Sequence, residues 1–220
     1  MLMRFAYSVT GPTKFLSHLD LLKYFAKAVK RAEIPIAYSE GFNPHPRIAF
    51  GPPRGVAIAG LREYCDMKLK EEMTAEEFQN KLNSALPKGI RVEAARVLRG
   101  KVKPLQAVIN RADYTVELNG CDPSQVGERA ARLMRSRQVD WVRHNPKKGD
   151  KVINLRAGID RLQWQPAVQG GKLFLSLIFG ADGSVKPAEV AAYVTEGQGS
   201  WVICRTGLFV ADATGKRTIP

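Results

Sequence analysis

A chain of 220 residues with 45% apolar and 25% charged side chains can bury a core as one large domain or two of about 100 residues, which excludes wholesale disorder. Its 34 Lys+Arg against 21 Asp+Glu leave a net charge of +13 at pH 7, a balance that points to an anionic partner, with nucleic acid first. Cys65, Cys121 and Cys204 lie far apart with no C-x-x-C or Cys/His zinc spacing, so no metal site or iron–sulfur cluster is expected on this chain alone.

Alternation over residues 4–10 predicts a strand, broken by Gly11-Pro12-Thr13. Ser17 then reads as an N-cap, with Asp20 as a weak capping-box partner and Leu16 against Leu21 as a hydrophobic staple. Leu22, Phe25, Ala26 and Val29 give this helix its apolar stripe, and it stops before Pro35. Residues 47–50 and 64–69 read as strands around Gly51-Pro52-Pro53. Thr74-Ala75-Glu76-Glu77 is a full capping box, stapled by Met73 and Phe78, and opens a helix to Leu86. Residues 90–98 close the half as a strand. The order is β-α-β-β-α-β, so residues 1–100 are expected to form a ferredoxin-like domain.

Residues 101–112 read as a connector, and residues 113–220 as a second, ferredoxin-like α+β domain. Residues 114–118 form a strand, and Asp122-Pro123-Ser124-Gln125 supplies N-cap, N1 proline and N3 glutamine for a helix toward Arg135. Residues 139–143, 152–155 and 173–179 read as strands, residues 180–183 as a turn, Pro187 as a helix start and residues 201–210 as a last strand. The segment 156–169 falls outside this repeat. The fold class is α+β with tandem ferredoxin-like (βαββαβ) halves, and a single mixed sheet carrying all four helices is the alternative.

The loop Tyr38-Ser39-Glu40-Gly41-Phe42-Asn43-Pro44-His45-Pro46-Arg47 is stiffened because proline fixes φ and biases the preceding residue toward extended geometry. It holds Tyr38, Glu40, Asn43, His45 and Arg47 outward as a candidate substrate-binding set. On the first helix Lys23, Lys27, Lys30 and Arg31 share one face, with no acidic residue between Asp20 and Glu33 to neutralise them. Farther on, Arg129, Arg132, Arg135, Arg137, Arg143, His144, Lys147, Lys148 and Lys151 interleave with Trp141, a combination suited to phosphate contact and base stacking. His18 sits at a helix N-terminus, where the macrodipole disfavours the imidazolium, so His18 and His45 are the candidate pair for general acid–base chemistry on RNA without metal. No Walker, G-x-S-x-G or H-E-x-x-H motif is present.

The runs Thr10-Gly11-Pro12, Phe15-Leu16-Ser17-His18-Leu19-Asp20, Ile36 through Pro46 and Ala49-Phe50-Gly51-Pro52-Pro53 together resemble the radical-SAM-linked proteins. In that bacterial family a domain of unknown function is fused behind, or encoded beside, radical S-adenosylmethionine proteins with a cobalamin-binding-type domain. Val152-Ile153-Asn154-Leu155-Arg156 resembles a family stretch that usually carries Asp at the position of Asn154, and Asp182-Gly183-Ser184-Val185-Lys186-Pro187 also fits. The resemblance implies that the iron–sulfur cysteines of any radical chemistry belong to another chain. The tandem order also resembles the repeat-processing endoribonucleases of CRISPR systems, at fold level alone.

These readings lead to a cytoplasmic, non-catalytic RNA-binding or substrate-presenting accessory protein that needs no cofactor of its own and works with a radical S-adenosylmethionine protein. The expected partners are RNA and that protein, with no membrane, since no run of about 18 apolar residues occurs and Met1-Leu2-Met3-Arg4 is no secretion signal. A metal-independent endoribonuclease using His18 and His45, and a protein–protein adaptor, are the alternatives.

Overall fold

The first strand shows how alternation builds the core. In β1 (Leu2–Val9) the side chains of Met3, Phe5, Tyr7 and Val9 are all buried on one face. The computed structural model describes residues 1–144, 146, 149–179 and 185–220, in two units: Met1–Ile109 with Gly207–Pro220, and Asn110–Thr206.

In the first unit β1 is followed by a 3-10 turn (Gly11–Phe15), α1 (His18–Arg31), β2 (Ile48–Phe50), β3 (Ala59–Lys68), α2 (Ala75–Ala85), β4 (Ile90–Leu98) and α3 (Leu105–Val108). β1 pairs antiparallel with both β3 and β4, and β2 pairs antiparallel with β3, giving the strand order β4-β1-β3-β2. This is the β-α-β-β-α-β succession expected from the residue pattern. Phe5 meets Phe25 of α1 at 5.8 Å and Phe78 of α2 at 5.3 Å between ring centroids, joining both helices to one sheet face. On the opposite parity Arg4 and Asp66 are both buried and bonded twice, at 2.7 and 2.8 Å.

The two helix starts differ from expectation. The Ser17/Asp20 box, weak by residue type, is complete: Ser17 Oγ accepts from the Asp20 amide at 3.2 Å and the Asp20 carboxylate accepts from the Ser17 amide at 3.4 Å and its hydroxyl at 2.6 Å. At Thr74 only one half forms, the Glu77 amide donating to Thr74 Oγ1 at 3.1 Å, because the Glu77 carboxylate instead reaches Lys81 at 3.1 Å. The buried stripe of α1 is Leu21, Phe25, Ala28 and Val29, rotated slightly from the expected one. The segment expected as a connector contains α3, with Leu105 and Ile109 buried in the first unit, so the boundary falls between Ile109 and Asn110.

The second unit contains β5 (Arg111–Asn119), α4 (Pro123–Arg135), β6 (Asp140–Arg143), β7 (Lys151–Asn154), β8 (Ile159–Ala167), β9 (Gly170–Ile178), α5 (Pro187–Thr195) and most of β10 (Ser200–Ala211). β5 and β8 both pair antiparallel with β9, and β10 neighbours β5, so the order β10-β5-β9-β8 has the same form as in the first unit. The segment 156–169, which fell outside the sequence repeat, contains β8 and is the missing strand of the plan. Its apolar alternation is faint because most of its residues are exposed. The strands expected at 139–143 and 152–155 exist, but as a separate hairpin in which β6 pairs with β7. The turn expected at 180–183 lies outside the described residues.

Asp122 caps α4 as expected, accepting from the amides of Ser124 and Gln125. Gly127 in mid-helix leaves room for the Trp164 indole of β8, which lies 3.1 Å from where a Cβ would stand. Residues 207–211 of β10, together with β11 (Arg217–Thr218), belong to the first unit, so the second does not extend to residue 220. The reason is the length of β10, whose 12 residues continue unbroken past the boundary. Among the described residues no helix is long and apolar enough to cross a membrane.

Candidate functional site

The proline-stiffened loop is a short hairpin. Tyr38 and Pro46 form a bridge, the Ser39 amide donates to the His45 carbonyl at 2.8 Å and the His45 amide donates to Ser39 Oγ at 2.9 Å. Gly41 turns the tip with φ +115°, and Phe42 beside it is wholly exposed. Arg47 Nε donates to the Tyr38 carbonyl at 3.2 Å, and its guanidinium lies 4.0 Å from the Glu40 carboxylate. Lys70 stands 5.9 Å from the centroid of the half-exposed Tyr38 ring. Tyr38, Glu40, Asn43, His45 and Arg47 are therefore brought together, but on an exposed finger rather than in a concave pocket.

On α1, Lys23, Lys27, Lys30 and Arg31 are all exposed on the face away from the core. Arg31 is held by the Ala85 carbonyl at the end of α2. Lys23 lies 3.9 Å from Asp20 across solvent, a weak pair, and Lys27 and Lys30 have no ion pair among the described residues. Three lysines thus remain as a face without strong neutralisation.

His18 and His45 stand in different surroundings. The His18 ring packs edge-on against Phe50 at 5.3 Å, whereas His45 is exposed on the hairpin with its amide bonded to Ser39 Oγ. Around His18 the structure gathers residues that sequence reasoning missed. Arg54 donates to the carbonyls of Lys14 at 2.7 Å and Ile58 at 2.7 Å, and reaches those of Thr13 and Leu16 at 3.3 and 3.2 Å, tying the entry of α1 to the turn after β2. Glu63 is buried beside it, with Tyr7 and Gly51 also lining this crevice. Parity was the available signal, since Glu63 shares the inward register of Cys65 and Met67. Gly60 is needed there, because a Cβ would stand 2.5 Å from a Glu63 carboxylate oxygen.

In the second unit the arginine cluster is largely committed. Arg143 forms a two-point pair with Glu189 of α5, Nε–Oε1 at 2.5 Å and Nη2–Oε2 at 2.7 Å, and the Glu189 hydrogen bond raises its pKa further. Arg129 pairs with Glu196 at 2.8 Å. Both are expected to meet RNA; in the free chain each is paired with an acidic residue of or just after α5, more than 40 positions along the chain. Lys147 and Lys148 lie outside the described residues. Arg132 and Arg135 remain exposed, and Arg132 lines a cleft of about 360 Å³ with Trp141 and Tyr193. Asn154 uses its side-chain oxygen as acceptor for the amides of Val139 at 3.1 Å and Arg156 at 3.0 Å, a role a carboxylate fills equally well. Among the described residues no group of three His, Cys, Asp or Glu is placed to hold a metal ion.

Fold and site together define an α+β protein with an aromatic finger and a lysine face on its first unit. Residues 3–190 match the family described as an uncharacterized protein conserved in bacteria (DUF2344), and the chain belongs to that family. No protein of curated function matches it. Among solved structures, a chain of a crystal structure of a Cbf5-Nop10-Gar1 complex is similar with a TM-score of 0.44 and 8% identity, over 93% of this chain. This chain spans 47% of that one.

Proposed function

We propose that this protein is a non-catalytic, RNA-binding or substrate-presenting module that works with a separate radical S-adenosylmethionine enzyme. The observation that carries the RNA reading is the lysine face of α1, on the same unit as a hairpin that exposes Tyr38 and Phe42 beside Lys70 and Arg47. Lysines supply phosphate contacts that position a strand without reading its sequence, and exposed aromatic rings supply stacking surfaces for unpaired bases. His18 packs on Phe50 while His45 stands on the exposed hairpin, which supports binding over cleavage, because a general acid and base must both reach one phosphodiester. The radical enzyme as partner rests on the motif resemblance over the first seventy or so residues, which ties such chains to proteins of that class.

The test is titration of the protein into labelled single-stranded RNA, followed by affinity capture of the tagged protein with and without nuclease. Affinity falling steeply from 50 to 200 mM salt is expected, with the RNA intact in EDTA and a radical enzyme retained on the protein. A flat salt response removes the RNA reading. RNA cleaved in EDTA, and spared when His18 or His45 is replaced, replaces it with the endoribonuclease. A nuclease-resistant protein complex without RNA affinity leaves the adaptor.

A further inference from the structure

On the sheet face of the first unit opposite α1 and α2, a small pocket is lined in part by Ile219 and Pro220. Tyr64 of β3 lines it, 5% exposed, and its hydroxyl is buried with no hydrogen-bond partner. Arg62 and Arg96 line the same pocket from β3 and β4. Arg4 is there too, but is neutralised by Asp66. Burial pushes the Tyr64 phenol above its usual range, while the charges of Arg62 and Arg96 pull the other way, so both guanidinium groups act on that hydroxyl. Arg96 donates to the backbone oxygen of Pro220, which lines the pocket with Ile219.

A buried hydroxyl left without a partner is unfavourable unless something else accepts its proton, and nearly all such groups in proteins are satisfied. Here the two side chains beside it are cations that bind oxyanions through forked donors. The backbone oxygen of Pro220 already sits on one of them. We infer that Tyr64, Arg62 and Arg96 form a binding site for a single phosphate group, with Ile219 and Pro220 lining its edge. The site stands independently of the RNA reading; only the carrier of the phosphate, a small phosphomonoester or the 5′ end of an RNA, rests on it.

Inorganic phosphate is the probe. Binding is measured by titration calorimetry, and melting in phosphate is compared with melting in chloride at matched ionic strength. At ten times its Kd, phosphate raises the melting temperature of the wild-type protein by about 3–6 °C. Arg96→Gln and Tyr64→Phe lose the heat of binding and that extra shift. General stabilisation by phosphate as an excluded salt is the same in all three proteins and cancels. Arg96 is exposed and Tyr64→Phe deletes one oxygen, so both variants fold. Tyr64→Phe also melts higher than the wild type in chloride, since the orphan hydroxyl is gone. Equal phosphate responses in wild type and variants, or no heat in the wild type, overturn the site. RNA arms identify the carrier: a 5′-phosphorylated oligonucleotide binding more tightly than its 5′-hydroxyl twin, with the difference lost in Arg96→Gln, assigns RNA. Equal binding of the twins beside a positive phosphate titration assigns a small phosphomonoester. RNA that fails to bind at all sinks the RNA reading, while the phosphate titration still decides the pocket.

Discussion

Replacing Lys23, Lys27 and Lys30 together by glutamine removes the unneutralised part of the α1 face and leaves the fold in place. All three side chains point away from the core stripe of Leu21, Phe25, Ala28 and Val29. Relief of like-charge pairs three and four residues apart is expected to stabilise the helix by a few tenths of a kcal/mol. Arg31 is left alone because the Ala85 carbonyl already holds it. Each phosphate contact contributes about 0.7 to the slope of log K against log salt on a single strand, so three lysines contribute about 2. Over a fourfold change, from 50 to 200 mM salt, a slope difference of 2 is about a 16-fold change in the ratio of wild-type to variant affinity. Fluorescence anisotropy of a labelled single-stranded RNA at four or five salt concentrations measures both slopes, with circular dichroism to confirm helix content. Arg143→Gln is the control and leaves the slope unchanged, because Glu189 neutralises Arg143 in the free protein. Identical slopes for the triple variant and the wild type refute the reasoning.

Three further outcomes are expected. Glu189→Gln leaves Arg143, whose side chain is only 23% exposed, without its counter-charge, and lowers stability by about 2 kcal/mol, read from urea melts; no change in midpoint counts against that pair as a structural tie. Burial first, and the Asp66 carboxylate next, push the Cys65 thiol well above its usual value, so under native conditions alkylation followed by mass spectrometry labels Cys121 and Cys204 while Cys65 reacts only on unfolding. The Ser17 hydroxyl holds Asp20 below its ordinary pKa of 3.8, so its capping contribution is fully present above that value and is lost as pH falls through the lowered one; Asp20→Asn removes this part of the acid transition followed at 222 nm, and an unaltered transition refutes it.

The first half was legible because its signals are local. Period-two alternation in β1, a capping pair at Ser17 and Asp20, and proline at position 35 act within a few residues of one another. β8 escaped because a strand exposed along most of its length does not need alternating apolar residues, and pattern reading detects burial rather than pairing. The commitment of Arg129 and Arg143 was hidden for another reason. Charge neutralisation between residues more than 40 positions apart depends on which helix ends meet which strands, and composition registers only that both signs exist. The hairpin was found from its prolines, yet its exposed form was not, since rigidity in a loop does not say whether the surroundings are concave. Arg54 followed two prolines in plain view, but its work is done by donating to carbonyls, which leave no mark in a sequence.

The split membership of β10 bears on how the protein is made. Residues 207–220 join the unit that begins at Met1, so translation delivers the last piece of the first unit only after the whole of the second has left the ribosome. The core of the first unit is nevertheless drawn from its early residues alone, so it emerges before the second, as is usual for an N-terminal domain. A fragment ending at residue 109 keeps the core cluster of this unit, all of it within residues 1–97, but lacks the end of β10 and β11.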